Sequence, residues 1–172
     1  MRKLLVILLL LTIGMGAVEA SPIPAIWYCV YVKKNCKAIE EYDHKGSISH
    51  RATYEFNGNM IEVYTNKGAD TYHTHTYQII GNKMEVDTYK GQSTYHTNTY
   101  EIIGNVINEY KHVGQWTYHT NEFIVNGNVI NQYTTENGSG SHVRTYEIKN
   151  NVIEECTTPV VSAVCGKSYE IF

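Results

Sequence analysis

The apolar and polar positions of this chain recur in a fixed pattern. Between residues 94 and 113, Thr94 to Ile103 forms a Thr/Tyr/Ile-rich run, Gly104-Asn105 interrupts it, and Val106 to Val113 resumes it. Runs of that composition predict strands, and a Gly-Asn pair between them predicts a two-residue hairpin turn with glycine at the position needing positive φ. The interruption returns at Gly58, Gly81, Gly104 and Gly127, each 23 residues after the last, with Asn150 on the next step. Asn follows every time, at Asn59, Asn82, Asn105, Asn128 and Asn151, and an aromatic stands four residues ahead, at Tyr54, Tyr77, Tyr100, Phe123 and Tyr146. Five copies in one register, without an insertion, indicate tandem duplication of a single hairpin unit. No proline occurs between Pro24 and Pro159, as a ladder in which every N–H donates requires.

Five hairpins predict an all-β chain of about ten strands in an antiparallel up-and-down meander. A closed barrel is the preferred architecture because it hides both edge strands. An open sheet and a parallel β-helix with one 23-residue coil per copy are the alternatives. Pairing across the turn sets Tyr100 opposite Glu109 and Ile102 opposite Ile107. A strict period of two then puts His96, Asn98, Tyr100 and Ile102 on one face, the expected core, and Tyr95, Thr97, Thr99 and Glu101 on the other.

The ends differ from the middle. Residues 1–20 carry a basic start (Arg2, Lys3), an apolar run from Leu4 to Ile13 and small residues from Ala17 to Ala20. That order reads as a secretory signal peptide cleaved after Ala20. Residues 21–45 form an N-terminal disulfide-bearing segment, with a short helix expected over Lys33 to Tyr42 capped by Asn35. The repeats occupy 46–157, and 158–172 form a tail, apolar at Val160, Val161 and Val164, that docks as a strand or covers an end. Cys29, Cys36, Cys156 and Cys165 are an even set in a chain read as secreted, hence two disulfides with three possible pairings. Asn137 heads the one glycosylation sequon, Asn137-Gly138-Ser139. The 14 basic and 17 acidic residues, less Arg2, Lys3 and Glu19, leave 12 and 16. That balance, with no basic cluster, argues against nucleic acid and anionic membranes as partners.

The 23-residue period is similar to that of MORN repeats, whose glycine and tryptophan pattern is missing here. Tyr100 to Asn105 resembles hairpins of lipocalin-like barrels. Neither likeness assigns a family.

Three ligand chemistries fit the recurring side chains. Tyr72, Tyr95, Trp116 and Tyr118, with Tyr64, Tyr110 and Tyr133, space aromatic rings along the sheet, as stacking on the sugar rings of a polysaccharide or matrix glycan requires. The plainer account of these rings is cross-strand pairing. His50, His73, His96, His119 and His142 hold one register, and His73 and His75 fall on one face of an unbroken strand, the first choice for a metal. The plainer account is a repeated half-buried histidine bonded to a neighbouring Thr or Tyr. Tyr54, Tyr77, Tyr100, Phe123 and Tyr146 would line the inside of a carrier barrel for a small apolar or aromatic ligand. No HExxH, GxSxG or phosphate loop occurs. The polar residues recur copy after copy instead of forming one asymmetric constellation. The chain therefore reads as a secreted, non-enzymatic structural or binding protein without a cofactor: matrix- or glycan-associated first, a lipocalin-like carrier or histidine-column metal binder otherwise.

Overall fold

The computed structural model describes residues 21–135, 140–157 and 165–172. It is a closed barrel of twelve antiparallel strands, each paired with its neighbours in the chain. The strands are β1 (Ala38–Asp43), β2 (Ser49–Asn57), β3 (Met60–Lys67), β4 (Asp70–Ile80), β5 (Lys83–Lys90), β6 (Ser93–Ile103), β7 (Val106–Val113), β8 (Trp116–Asn126), β9 (Val129–Thr134), β10 (Ser141–Lys149), β11 (Val152–Cys156) and β12 (Cys165–Ile171). The five expected hairpins are β2–β3 through β10–β11, joined at the Gly-Asn corners. Gly104 has φ +62°, and in the fifth copy Asn150 takes the same left-handed conformation at φ 57°, which Asn tolerates better than other side chains.

The two strands beyond the expected ten make a sixth unit, split between the chain ends. Tyr169 follows Tyr146 by 23 residues, and Ile171 donates its N–H to Asn151 O at 2.8 Å, as Ile148 does to Asn128 O. β12 is thus the first strand of a sixth hairpin, and β1 supplies the second. They pair with Ile39 opposite Ile171 and Asp43 opposite Lys167, which closes the barrel without a turn. The short helix expected over Lys33 to Tyr42 is absent, because Ala38–Asp43 is needed as this closing strand. Helix lies earlier, as α1 (Ile23–Trp27) running into a π-helical segment, Tyr28–Lys33, that ends at Lys34 with φ 62°.

Eight strands make a barrel that side chains alone can fill; twelve strands ~4.8 Å apart enclose a tube on the order of 20 Å across. α1 occupies the surplus. Its Ile23, Ala25 and Ile26 are fully buried in one core with Ile39, Ile61, Met84, Ile107, Phe123, Ile130, Ile153 and the barrel tyrosines. The π-helical segment reaches the end of the barrel that carries the Gly-Asn corners. There Tyr31 Oη donates to Gly81 O at 3.0 Å and Lys33 Nζ to Asn151 Oδ1 at 3.3 Å. One end of the tube is plugged, and Ser21 and Pro22 lie inside it, against the remaining space.

Both disulfides are local, Cys29–Cys36 at the exit of the plug and Cys156–Cys165 across β11 and β12. They fit an oxidising compartment. No helix among the described residues is long and apolar enough to cross a membrane. The signal segment, Asn137 and the Val160, Val161 and Val164 part of the tail lie outside the described residues.

Candidate functional site

One local device sets which side chains enter the barrel. The ladder skips one residue between units: Tyr64 pairs with His73 and Val63 with His75, leaving Thr74 as a bulge. The same skip occurs at Arg51, Thr97, Thr120, Val143 and Gly166, so the bulge has the 23-residue period of the sequence. An extra residue re-aims everything beyond it. Asn98, Tyr100 and Ile102 therefore face inward as expected, whereas His96 faces out.

All five column histidines are outside the barrel. Each stacks on a neighbouring ring: His50 on Tyr42, His73 on Tyr64 and Tyr89, His96 on His112, His119 on Tyr110 and His142 on Tyr133, with centroids 4.5–5.3 Å apart. Four also bond the threonine three residues on, for example His73 Nε2 to Thr76 Oγ1 at 3.2 Å. His73 and His75 do not share a face, because the Thr74 bulge turns His75 into the lumen. There burial, and then His73, holds its pKa below the usual value. No group of three or more metal-ligating side chains forms among the described residues.

The aromatic series also divide. Tyr64, Tyr110 and Tyr133 are the outer rings stacked on histidines. Tyr72, Tyr95 and Tyr118 pair with Thr65, Thr88 and Lys111, which line the lumen, and so stand on its inner wall at the open end. Trp116, two residues beyond Tyr118 on the same side, is 70% exposed. These four rings form a lip over the mouth, on the walls built by the longest strands.

Below the lip the lumen opens into two lobes of about 700 and 760 Å³, with Pro22, His75 and Tyr77 common to both walls. Their floor is the tier of rings Tyr54, Tyr77, Tyr100, Phe123, Tyr146 and Tyr169, which hold one position of the repeat and are all buried. One pleat toward the mouth, the even strands carry Ala52, His75, Asn98, Asn121, Arg144 and Lys167. The odd strands carry Glu41, Val63, Val86, Glu109, Gln132 and Glu155. Here the units diverge. Ala52, Val63 and Val86 make one side apolar around His75, and the other side is a continuous polar arc.

That arc is internally bonded. Glu109 accepts from Asn98 Nδ2 at 3.0 Å, Tyr100 Oη at 2.7 Å and Asn121 Nδ2. Gln132 Nε2 donates to Asn121 Oδ1 at 3.3 Å, Tyr146 Oη donates to Gln132 Oε1 at 3.0 Å, and the Ser21 N–H donates to Tyr146 Oη at 3.3 Å. Arg144 Nε meets Glu155 Oε1 at 2.7 Å, Lys167 Nζ pairs with Glu41, and Tyr54 Oη donates to Glu41 Oε2 at 2.8 Å. Burial raises the Glu155 pKa, against the pull of Arg144 and Lys167. The same cause, reinforced by nearby carboxylates, raises the phenols of Tyr54, Tyr77, Tyr100, Tyr146 and Tyr169, which stay neutral donors at physiological pH.

Such an arc, held in place by its own bonds beneath a lip of aromatic rings, can orient a hydroxylated molecule by hydrogen bonds and stacking. The sequence reading passed over it because it sought residues that recur. Its signal was the opposite one: the inward positions at which otherwise faithful copies differ. Compared with known proteins, the chain matches no family model, and no curated protein matches it.

Proposed function

We propose that this is a secreted, non-catalytic binding protein that takes a hydroxyl-rich ligand of the saccharide class into its lumen. The observation that carries the reading is the asymmetric polar arc from Asn98 to Lys167, set between buried tyrosines and an exposed aromatic lip. Sugars present alternating apolar faces and hydroxyl edges, and rings above with amides and carboxylates below answer both. The reading joins the glycan chemistry expected for the exposed rings to the carrier geometry of a closed barrel.

A hydrophilic ligand is favoured over an apolar one. The apolar volume at the tyrosine tier is occupied by Ile23 and Ile26 of the plug, and the open lobes lie in the polar tier. The outer face carries mid-strand carboxylates, among them Glu62, Glu85, Glu101 and Glu122, a pattern suited to water and costly against lipid. The outer Tyr64, Tyr110 and Tyr133 are engaged by histidines, which leaves the lip as the face offered to a glycan.

Titration calorimetry with neutral and acidic mono- and oligosaccharides tests this. Binding should weaken by about tenfold or more when Asn98→Ala and Asn121→Ala are combined, and in Trp116→Ala, as loss of buried hydrogen bonds or of an aromatic platform implies. Absence of heat for every saccharide at millimolar concentration would sink the reading.

A further inference from the structure

The plug begins inside the binding space. Ser21 and Pro22 line the smaller lobe, and Pro22 also touches the larger one. The Ser21 nitrogen lies 3.3 Å from Tyr146 Oη, and that phenol is fully buried and donates its own proton to Gln132. The residue is pinned there from below: Ile23 and Ile26 are fully buried, and Cys29–Cys36 ties the exit of the plug. Ser21 is also the residue that follows the expected signal cleavage site. Signal peptidase hydrolysis of the Ala20–Ser21 amide would add hydroxide to the Ala20 carbonyl carbon and leave the proton on the Ser21 nitrogen. A backbone amide with one N–H would become an amine that carries three donors when protonated.

We propose that the freed α-amino group of Ser21 is a binding group of the lumen, an ammonium that holds the anionic group of the ligand. The inference rests on the saccharide reading above and narrows it to acidic sugars, of the uronate type. An α-amine has an ordinary pKa of about 7.7–8.0, so it is largely protonated at neutral pH. One of its three donors is taken by Tyr146, and the others are available to the lobe. The smaller lobe also holds Lys90 and Lys111, neither in an ion pair among the described residues, against a single carboxylate, Glu109, already capped by Asn98, Tyr100 and Asn121. With the ammonium, three cations face one carboxylate. A ligand bearing a carboxylate balances that field better than a neutral one. The charge belongs to the chain terminus itself, so side-chain composition does not display it.

The experiment uses the protein secreted from its full-length precursor. Its N-terminal residue is determined first, and any terminus other than Ser21 overturns the proposal. Calorimetry then compares D-glucuronate with D-glucose on the native protein and on protein acetylated selectively at the α-amine. Glucuronate should bind at least about tenfold more weakly after acetylation, while glucose is unaffected. In case acetylation perturbs folding, reductive ¹³C-methylation of the α-amine keeps its charge. The methyl resonance should then shift on adding glucuronate and stay still on adding glucose. If both sugars bind regardless of acetylation and the methyl signal does not move, the ammonium has no role, though the lumenal binding reading stands. If neither sugar binds any form, this inference fails, and the saccharide reading stands or falls by the wider panel.

Discussion

Ile39 of β1 lies directly opposite Ile171 of β12, and both side chains are buried in the barrel core. The pair stands where a hairpin of the sixth unit would have had both its strands on one continuous stretch of chain. Two segments some 130 residues apart take the place of one turn, so closure rests on packing and ladder bonds alone.

Closure should therefore be the most vulnerable seam. Ile171→Asp places a carboxylate in a fully enclosed apolar site and is expected to cost about 3 kcal/mol or more. Ile80→Asp, at an exposed position near a corner, should stay within about 0.5 kcal/mol. Urea denaturation of the two variants side by side decides the matter. Equal midpoints would mean that the β1–β12 seam adds nothing to stability.

The bulge column is expected to be structural. Deleting Thr97 would restore strict alternation and drive His96 from its outer stack with His112 toward the lumen. A loss above about 2 kcal/mol is expected, because a one-residue slip reverses every side chain beyond it. Thr97→Ser keeps the hydroxyl that bonds Val86 O and should be nearly neutral. Denaturation midpoints read both, and a deletion as stable as the parent would refute the role given to the bulge.

The corners separate glycine from asparagine. Gly104→Ala forces a Cβ into a left-handed conformation and should cost about 1 kcal/mol. Asn150→Gly, at the one corner where an L-residue holds that conformation, should gain a few tenths to about 1 kcal/mol. Thermal unfolding of both, run against the parent, should move in opposite directions.

Alkaline pH should unfold the barrel. Tyr54, Tyr77, Tyr100, Tyr146 and Tyr169 are buried, and their folded pKa values lie above the unfolded value of about 10. The fold binds those protons more tightly than the unfolded chain. Their contribution is complete below pH ~10 and is lost as pH rises past it toward the folded values. A spectrophotometric titration of phenolate absorbance should show the exposed tyrosines ionising reversibly, then a cooperative step that coincides with loss of the β-sheet signal. Smooth ionisation of all the tyrosines without unfolding would contradict the burial.

Much of this architecture was legible in the chain. The Gly-Asn corners, the pairing of Tyr100 with Glu109 and of Ile102 with Ile107, and the direction of each hairpin follow from turn chemistry and a spacing of 23, and the structure has them. The sixth unit was harder to see. Cys165 stands where the other copies have histidine, and Phe172 and Lys37 meet where they have a corner, so only the spacing of Tyr169 and Ile171 carried the repeat forward. The outward turn of the histidines was not legible, since a bulge at threonine has no compositional mark in a strand already rich in threonine.

The sequence by itself determined the repeat, the hairpins and the tier of buried rings, because these depend on neighbours a few residues apart. Only the tertiary structure decided that β1 meets β12, that a helix fills the tube, and that Asn98, Glu109, Asn121, Gln132, Arg144, Glu155, Lys167 and Glu41 converge on one lumen. Local propensity acts within a unit. Closing a circle and setting its bore depend on twist, strand number and register summed over all six units, and no single copy contains that sum.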